Sequence, residues 1–219
     1  WEVLASALER QGRVDEALAA LEKAVALSPP GRSNHLVDVA SLALRAGRPD
    51  DARRHAEAAL AQGDPRALAV LGRVALREGK LSEALRVIDD GLARGGAFPP
   101  AGLHVLRAEV LGRQGDLPGA EAEYRLELEA RPRSLEALSG LAIVAASRGD
   151  LDEASRRVGA MVRAAPTADA YLAGFFALRS FGRGEEARAL LAEGRRAFPL
   201  DPRLAREKAS VENPGKARR

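Results

Sequence analysis

Apolar side chains recur along this chain three and four residues apart, and the runs are broken at regular places. At the N-terminal end Trp1, Leu4, Ala5 and Leu8 form one stripe, and Ala17, Leu18, Leu21 and Ala24 form a second. That spacing puts each set on one face of an α-helix. Gly12 stands between the stripes, and a residue without Cβ tolerates the left-handed turn that ends a helix. The same punctuation returns down the chain as a Gly followed five residues later by an Ala: Gly12 and Ala17, Gly47 and Ala52, Gly79 and Ala84, Gly115 and Ala120, Gly149 and Ala154, Gly182 and Ala187. Successive glycines stand 35, 32, 36, 34 and 33 residues apart. Most intervals then close on a proline (Pro29, Pro65, Pro132, Pro166 and Pro199), with Pro99 and Pro100 closing the third a little later. Proline lacks an N–H and clashes with the preceding turn, so it stops the second helix of each interval. The small Ala lets that second helix cross close to the first.

The pattern predicts six helix–turn–helix units, over residues 1–31, 32–64, 65–100, 101–134, 135–167 and 168–200. Two units depart from it. The fourth has His104 and Arg107 where large apolar residues are expected, and its stripe shifts to Leu103, Leu106, Val110 and Leu111. The sixth places Gly174 and Phe175 in an order that implies a one-residue slip. Beyond them, Leu204, Ala205 and Ala209 after Asp201-Pro202 predict a short capping helix over 201–211, and 212–219 reads as a basic flexible tail. A terminal repeat needs a polar outer face because no neighbour covers it.

Composition agrees with helices. Of the 219 residues 46% are apolar, only 4% are aromatic, and Ala, Leu, Arg and Glu dominate. Such side chains lose little rotamer freedom in a helix. The net charge of +3 is the charge of residues 200–219; a neutral body with a slightly basic tail is poor evidence for nucleic-acid binding, which usually needs a clustered basic face. Without cysteine, disulfides, zinc–thiolate sites and thiol nucleophiles are excluded. No apolar run approaches the roughly 20 residues of a membrane span. His35, His55 and His104 have no helical i, i+4 partner and read as surface or rim residues rather than metal ligands. Asp50-Asp51 suits a helix start, where carboxylates complement the dipole. Gly95-Gly96 lacks the Gly-Lys-Ser/Thr of a phosphate loop and reads as a helix terminus. No catalytic, cofactor-binding or metal set is visible, so the sequence implies a protein that is not an enzyme and takes no cofactor.

The repeat resembles the tetratricopeptide repeat, a 34-residue helix–turn–helix. The first unit carries the resemblance in Trp1, Leu4, Ala5, Leu8, Gly12, Ala17, Leu21, Ala24 and Pro29; the third in Leu68, Leu71, Gly72, Ala75, Gly79, Ala84 and Ile88; the fifth in Leu138, Leu141, Ala142, Ala145, Gly149, Ala154, Val158 and Pro166. It extends over residues 1–199 as six tandem copies. It implies an all-α, right-handed α-α superhelix of six helix pairs with a C-terminal capping helix. It also implies a non-catalytic scaffold that binds a protein or peptide segment on its concave face. On that phasing Trp1 falls inside its unit, which leaves room for an upstream segment.

The resemblance places Arg45, Arg66, Arg73, Arg77, Glu109, Arg113 and Phe176 on the binding face, with Asn34, Leu44, Leu76 and Arg179 beside them. The arginines suit an acidic partner, because guanidinium pairs bidentately with carboxylate. They equally suit the last turn of a helix, where the dipole favours a cation. Phe176 or Phe175 is a candidate anchor, although the capping helix can instead cover both rings. The Lys/Asn clamp by which some family members hold chaperone C-termini is absent: Glu2, Val37, Ala69, Val105, Ser139 and Leu172 stand at the positions where its Lys is expected. The alternative implied by the family is the repeat region of a larger bacterial protein, whether a sulfatase-like or glycosyltransferase enzyme or a pilus or secretion assembly factor. No nucleic-acid partner is expected, the oligomeric state is open, and a cytoplasmic location is favoured over a periplasmic one unless an N-terminal segment precedes Trp1.

Overall fold

The computed structural model describes residues 1–27, 35–96 and 99–212, and only the backbone of Glu2 and of residues 208–212. Pro29, Asn34 and the tail from residue 213 lie outside the described residues, as does the side chain of Ala209. Every regular element among the described residues is an α-helix. The chain divides into two compact units, Trp1–Val110 and Leu111–Arg219.

The first unit holds α1 (Glu2–Arg10), α2 (Val14–Leu27), α3 (Leu36–Arg45), α4 (Pro49–Ala61), α5 (Ala67–Arg77), α6 (Leu81–Gly95) and α7 (Leu103–Arg113) as far as Val110. The second holds the end of α7, then α8 (Leu117–Ala130), α9 (Leu135–Ser147), α10 (Leu151–Ala164), α11 (Ala168–Ser180), α12 (Gly184–Ala197) and α13 (Pro202–Glu212). In each unit consecutive helices pair and each pair packs on the next, giving stacked α-α hairpins.

The turns follow one design. Gly12, Gly47, Gly79, Gly115, Gly149 and Gly182 all have φ between 74° and 85°. In each, the N–H after the glycine donates to a carbonyl five residues back, as from Arg13 to Leu8 and from Asp150 to Ala145. This is the Schellman closure, which satisfies carbonyls a helix end would otherwise leave bare. The alanines five residues after the glycines, Ala17, Ala52, Ala84, Ala120, Ala154 and Ala187, are all 0% exposed. Residues this small and this buried leave room for their helices to pack closely.

Side-chain caps are found at helix starts of the second unit, though not at α12, which begins after Arg183 without one. In the first, α1, α3, α4, α5 and α6 have no side-chain cap, although Asp50 and Asp51 in α4 and Glu83 in α6 place carboxylates in the first turn. In the second, Asp116, Ser134, Asp150 and Thr167 each accept an N–H from the first turn of α8, α9, α10 and α11. A cap of this kind is worth about 1 kcal/mol.

The sixth repeat needs no slip. Gly182 turns as its equivalents do. Gly174 lets Leu190 and Val158 approach, while Phe175 is wholly buried. Small and large side chains have exchanged places within an unchanged register. In α7 the shifted stripe is seen as Leu103, Leu106 and Val110, all 0% exposed. Leu204 of α13 is likewise 0% exposed and packs in one apolar cluster with Phe175, whereas Ala205 is exposed.

His55 is not a rim residue. Its side chain is 18% exposed and faces Glu22 of α2 with Nε2–Oε1 at 3.9 Å. Burial, with Arg54 nearby, lowers its pKa from the ordinary 6.5.

Gly140 of α9 shows how tight the second unit is. A Cβ there would lie 2.2 Å from Cζ of Tyr124 on α8. Gly140→Ala must displace that ring, and overpacking of this kind costs about 1–3 kcal/mol. A thermal melt of the variant should show a clearly lowered Tm; an unchanged Tm would mean that α8 and α9 are not locked at this point.

Candidate functional site

Two helical stripes in the first unit leave a gap between them. On α3 the stripe is Val37, Ser41, Leu44 and Arg45, spaced i, i+4, i+7, i+8. Facing it are Arg66, the residue before α5, and Ala69, Val70, Arg73 and Arg77 on α5. The opposite sides of both helices are buried, as at Val39, Ala43, Val74 and Ala75. The two stripes line a cleft of about 270 Å³, closed by Pro100 and Ala101.

The floor is apolar and the rim is guanidinium. Leu44 is 2% exposed and Val37 and Val70 are 7% exposed, so the floor is fixed by packing. The four arginines differ in how their charge is met. Arg45 pairs with Glu9 of α1 at 2.7 Å. Arg66 forks onto Asp64, with Nε–Oδ1 at 3.0 Å and Nη2–Oδ2 at 2.7 Å. That guanidinium holds the Asp64 carboxyl below its ordinary range. Arg77 donates from Nη1 to the carbonyl of Leu44 at 2.5 Å, which satisfies a last-turn group of α3 but leaves the charge unopposed. Arg73 is exposed and, among the described residues, has neither an ion pair nor a hydrogen bond. Among the described residues, two guanidiniums therefore face the cleft without a carboxylate paired to them.

Of the residues expected on the binding face, Arg45, Arg66, Arg73 and Arg77 come together here. Glu109 and Arg113 lie on the last turn and a half of α7 and do not line the cleft. Leu76, expected beside the face, is 2% exposed and belongs to the core. Phe176 sits on α11 in the second unit, 49% exposed, its ring tilted against Phe175 at 5.2 Å between centroids. Arg179 stands over the buried Phe175 ring at 5.3 Å. Sequence reasoning does not find the apolar lining as a site. Its signal is the stripe of Val37, Ser41, Leu44 and Arg45, which avoids the core positions of α3; Pro100 reads in the sequence only as a helix stop.

The second unit holds a polar cluster that sequence reasoning misses. Glu121, Glu123 and Glu127 of α8 are 8%, 6% and 2% exposed. Glu121 receives Arg148 at 2.5 Å, Arg125, and Arg157 at 3.6 Å. Burial pushes its carboxyl up, but Arg148, Arg125 and Arg157 together hold it below the ordinary 4.5. Glu127 stands where the other units bury Ala24, Ala59, Gly91, Met161 or Gly194, and both its oxygens take Arg131 at 3.1 Å. Among the described residues no group of three or more His, Asp or Glu is placed to hold a metal ion, and no helix is long and apolar enough to cross a membrane.

Family models described as tetratricopeptide repeat match residues 38–101 and 105–173, and a further one matches 1–30. Cellulose synthase operon protein C of Pseudomonas fluorescens (strain SBW25) is 30% identical over 166 residues, 72% of this chain. The matched stretch is only 13% of that protein, so the chain spans a small part of its relative's length. Among solved structures, a thermophilic TPR protein of Thermus thermophilus superposes with a TM-score of 0.65 at 25% identity, covering 80% of this chain and 96% of that one. PilW, a widely conserved type IV pilus biogenesis factor, gives a TM-score of 0.62 at 21% identity, covering 93% and 94%.

Replacing Glu121 leaves three guanidiniums around a neutral amide. Glu121→Gln should destabilise the protein by about 1–3 kcal/mol at neutral pH. The folded carboxyl titrates below its unfolded value, so the wild-type advantage is complete above about pH 4.5 and is lost as pH falls further. Denaturant titrations at pH 7 and pH 3.5 should show the gap between the two proteins closing at the lower pH; a constant gap would rule out a charge effect.

Proposed function

Because this chain belongs to the tetratricopeptide repeat family, we propose that it is a non-catalytic protein-interaction scaffold whose cleft between α3 and α5 holds an acidic segment of another protein. One observation carries the reading: Arg73 and Arg77 stand unopposed over an apolar floor. A carboxylate on Arg73 gains a charge-assisted, forked pair that costs no existing bond. Its apolar neighbour displaces water from Val37, Leu44 and Val70. The lining contains no carboxylate or imidazole to move a proton, which favours binding over catalysis.

The same cations suit α-helix C-termini, but that role needs no apolar floor beside them. Display of random peptides on wild type should enrich Asp or Glu next to a large apolar residue. Arg73→Glu with Arg77→Glu should abolish that enrichment while circular dichroism stays helical. An unchanged selection, or none on wild type, would sink the reading.

A second reading has its own support. The match to a small part of cellulose synthase operon protein C favours this chain as the repeat portion of a longer bacterial protein. Immunodetection in the source cell should then find a species well above 23.2 kDa. A band at that mass would count against it.

A further inference from the structure

The charge left over in the cleft says more about its ligand than its sign does. Four guanidiniums line it, and two of them are met by Glu9 and Asp64. Asp38 of α3 also acts on Arg66, whereas Arg73 and Arg77, four residues apart on one face of α5, have no carboxylate partner among the described residues. A single carboxylate can fork onto one of these guanidiniums and leaves the donors of the other unused. A phosphomonoester carries about −1.5 to −2 at neutral pH and offers three strong acceptor oxygens. Arginine has five N–H donors, and Arg77 commits one group to Leu44 while Arg73 commits none. The hydroxyl of Ser41 adds one more donor on the α3 side.

Resting on the scaffold reading above, we propose that the preferred occupant of this cleft is a phosphorylated Ser or Thr within a peptide segment, flanked by an apolar residue. The phosphate oxygens take Arg73 and Arg77, and the apolar neighbour lies on Val37, Leu44, Val70 and Pro100. Arg45 and Arg66 stay paired to Glu9 and Asp64 and set the rim. The floor is what selects a peptide. A nucleic-acid backbone brings one charge per phosphate and no aliphatic side chain to cover the valines.

The test uses the display-selected sequence in three synthetic forms, with Glu, Ser or phosphoserine at the acidic position, titrated by fluorescence anisotropy. The phosphoserine peptide should bind at least about tenfold more tightly than the Glu peptide, the Ser peptide weakest of all. Arg73→Gln should erase the preference for phosphoserine over Glu; since Arg73 makes no hydrogen bond or ion pair among the described residues, this variant should melt as wild type does. Arg77→Lys keeps a charge but loses the planar fork, and should narrow the preference in part. Equal affinity for the Glu and phosphoserine forms would overturn this inference and leave the scaffold reading standing. Failure of every peptide would remove both. Inorganic phosphate, or a single-stranded RNA of eight nucleotides, binding as tightly as the phosphopeptide would also overturn it, because the apolar floor would then contribute nothing.

Discussion

The helix pairs of this protein depend on how closely two helices can approach. Six alanines with no exposed surface leave room for that approach, and each lies five residues past a glycine in the left-handed region. The turn fixes where the second helix starts, and the alanine fixes how near it runs. Larger side chains between these alanines, such as Leu18, Ile88 and Met161, then fill the space that remains. A wrong residue at one of the alanines cannot be absorbed by a surface rotamer, because interiors of this density have few voids to spare.

That constraint leaves the other helix faces free, and the cleft is built from one of them. Nothing in the core requires Arg73, whereas Val39 and Val74 behind the stripes are wholly buried. The cleft combines a floor fixed by packing with a rim whose charges are only half balanced. Exposed pairs such as Arg45 with Glu9 add little stability. Their effect is to leave Arg73 and Arg77 as the places where an anion is favoured.

Most of the architecture could be read in the sequence, since glycine, alanine and proline at fixed offsets each carry a direct steric meaning. The expected helix pairs and the family are both seen. The arginines of α3 and α5 were also legible, because the family resemblance places them at groove positions of its repeat. The cleft's apolar floor was only partly so: Leu44 falls beside the expected binding face, but Val70 has no such mark, and nothing in the sequence joins the two until the surface between two helices is known. Glu127 escapes notice for a related reason. A carboxylate at a position that elsewhere holds Ala, Gly or Met looks like a solvated residue, and only the approach of Arg131 makes it a buried one. The inverted Gly174–Phe175 order suggests a slip, because a pattern of sizes cannot tell a shift of the chain from an exchange of two neighbours.

The uneven capping of helix starts has a consequence for how the chain breathes. Asp116, Ser134, Asp150 and Thr167 tie down first-turn amides in the second unit, and α3, α4, α5 and α6 have no such tether. Fraying therefore begins more cheaply around α3 and α5 than around α9 and α11. The walls of the cleft belong to the part of the molecule whose helix ends open most readily. On the proposed scaffold reading, a segment held there would quiet those amides first.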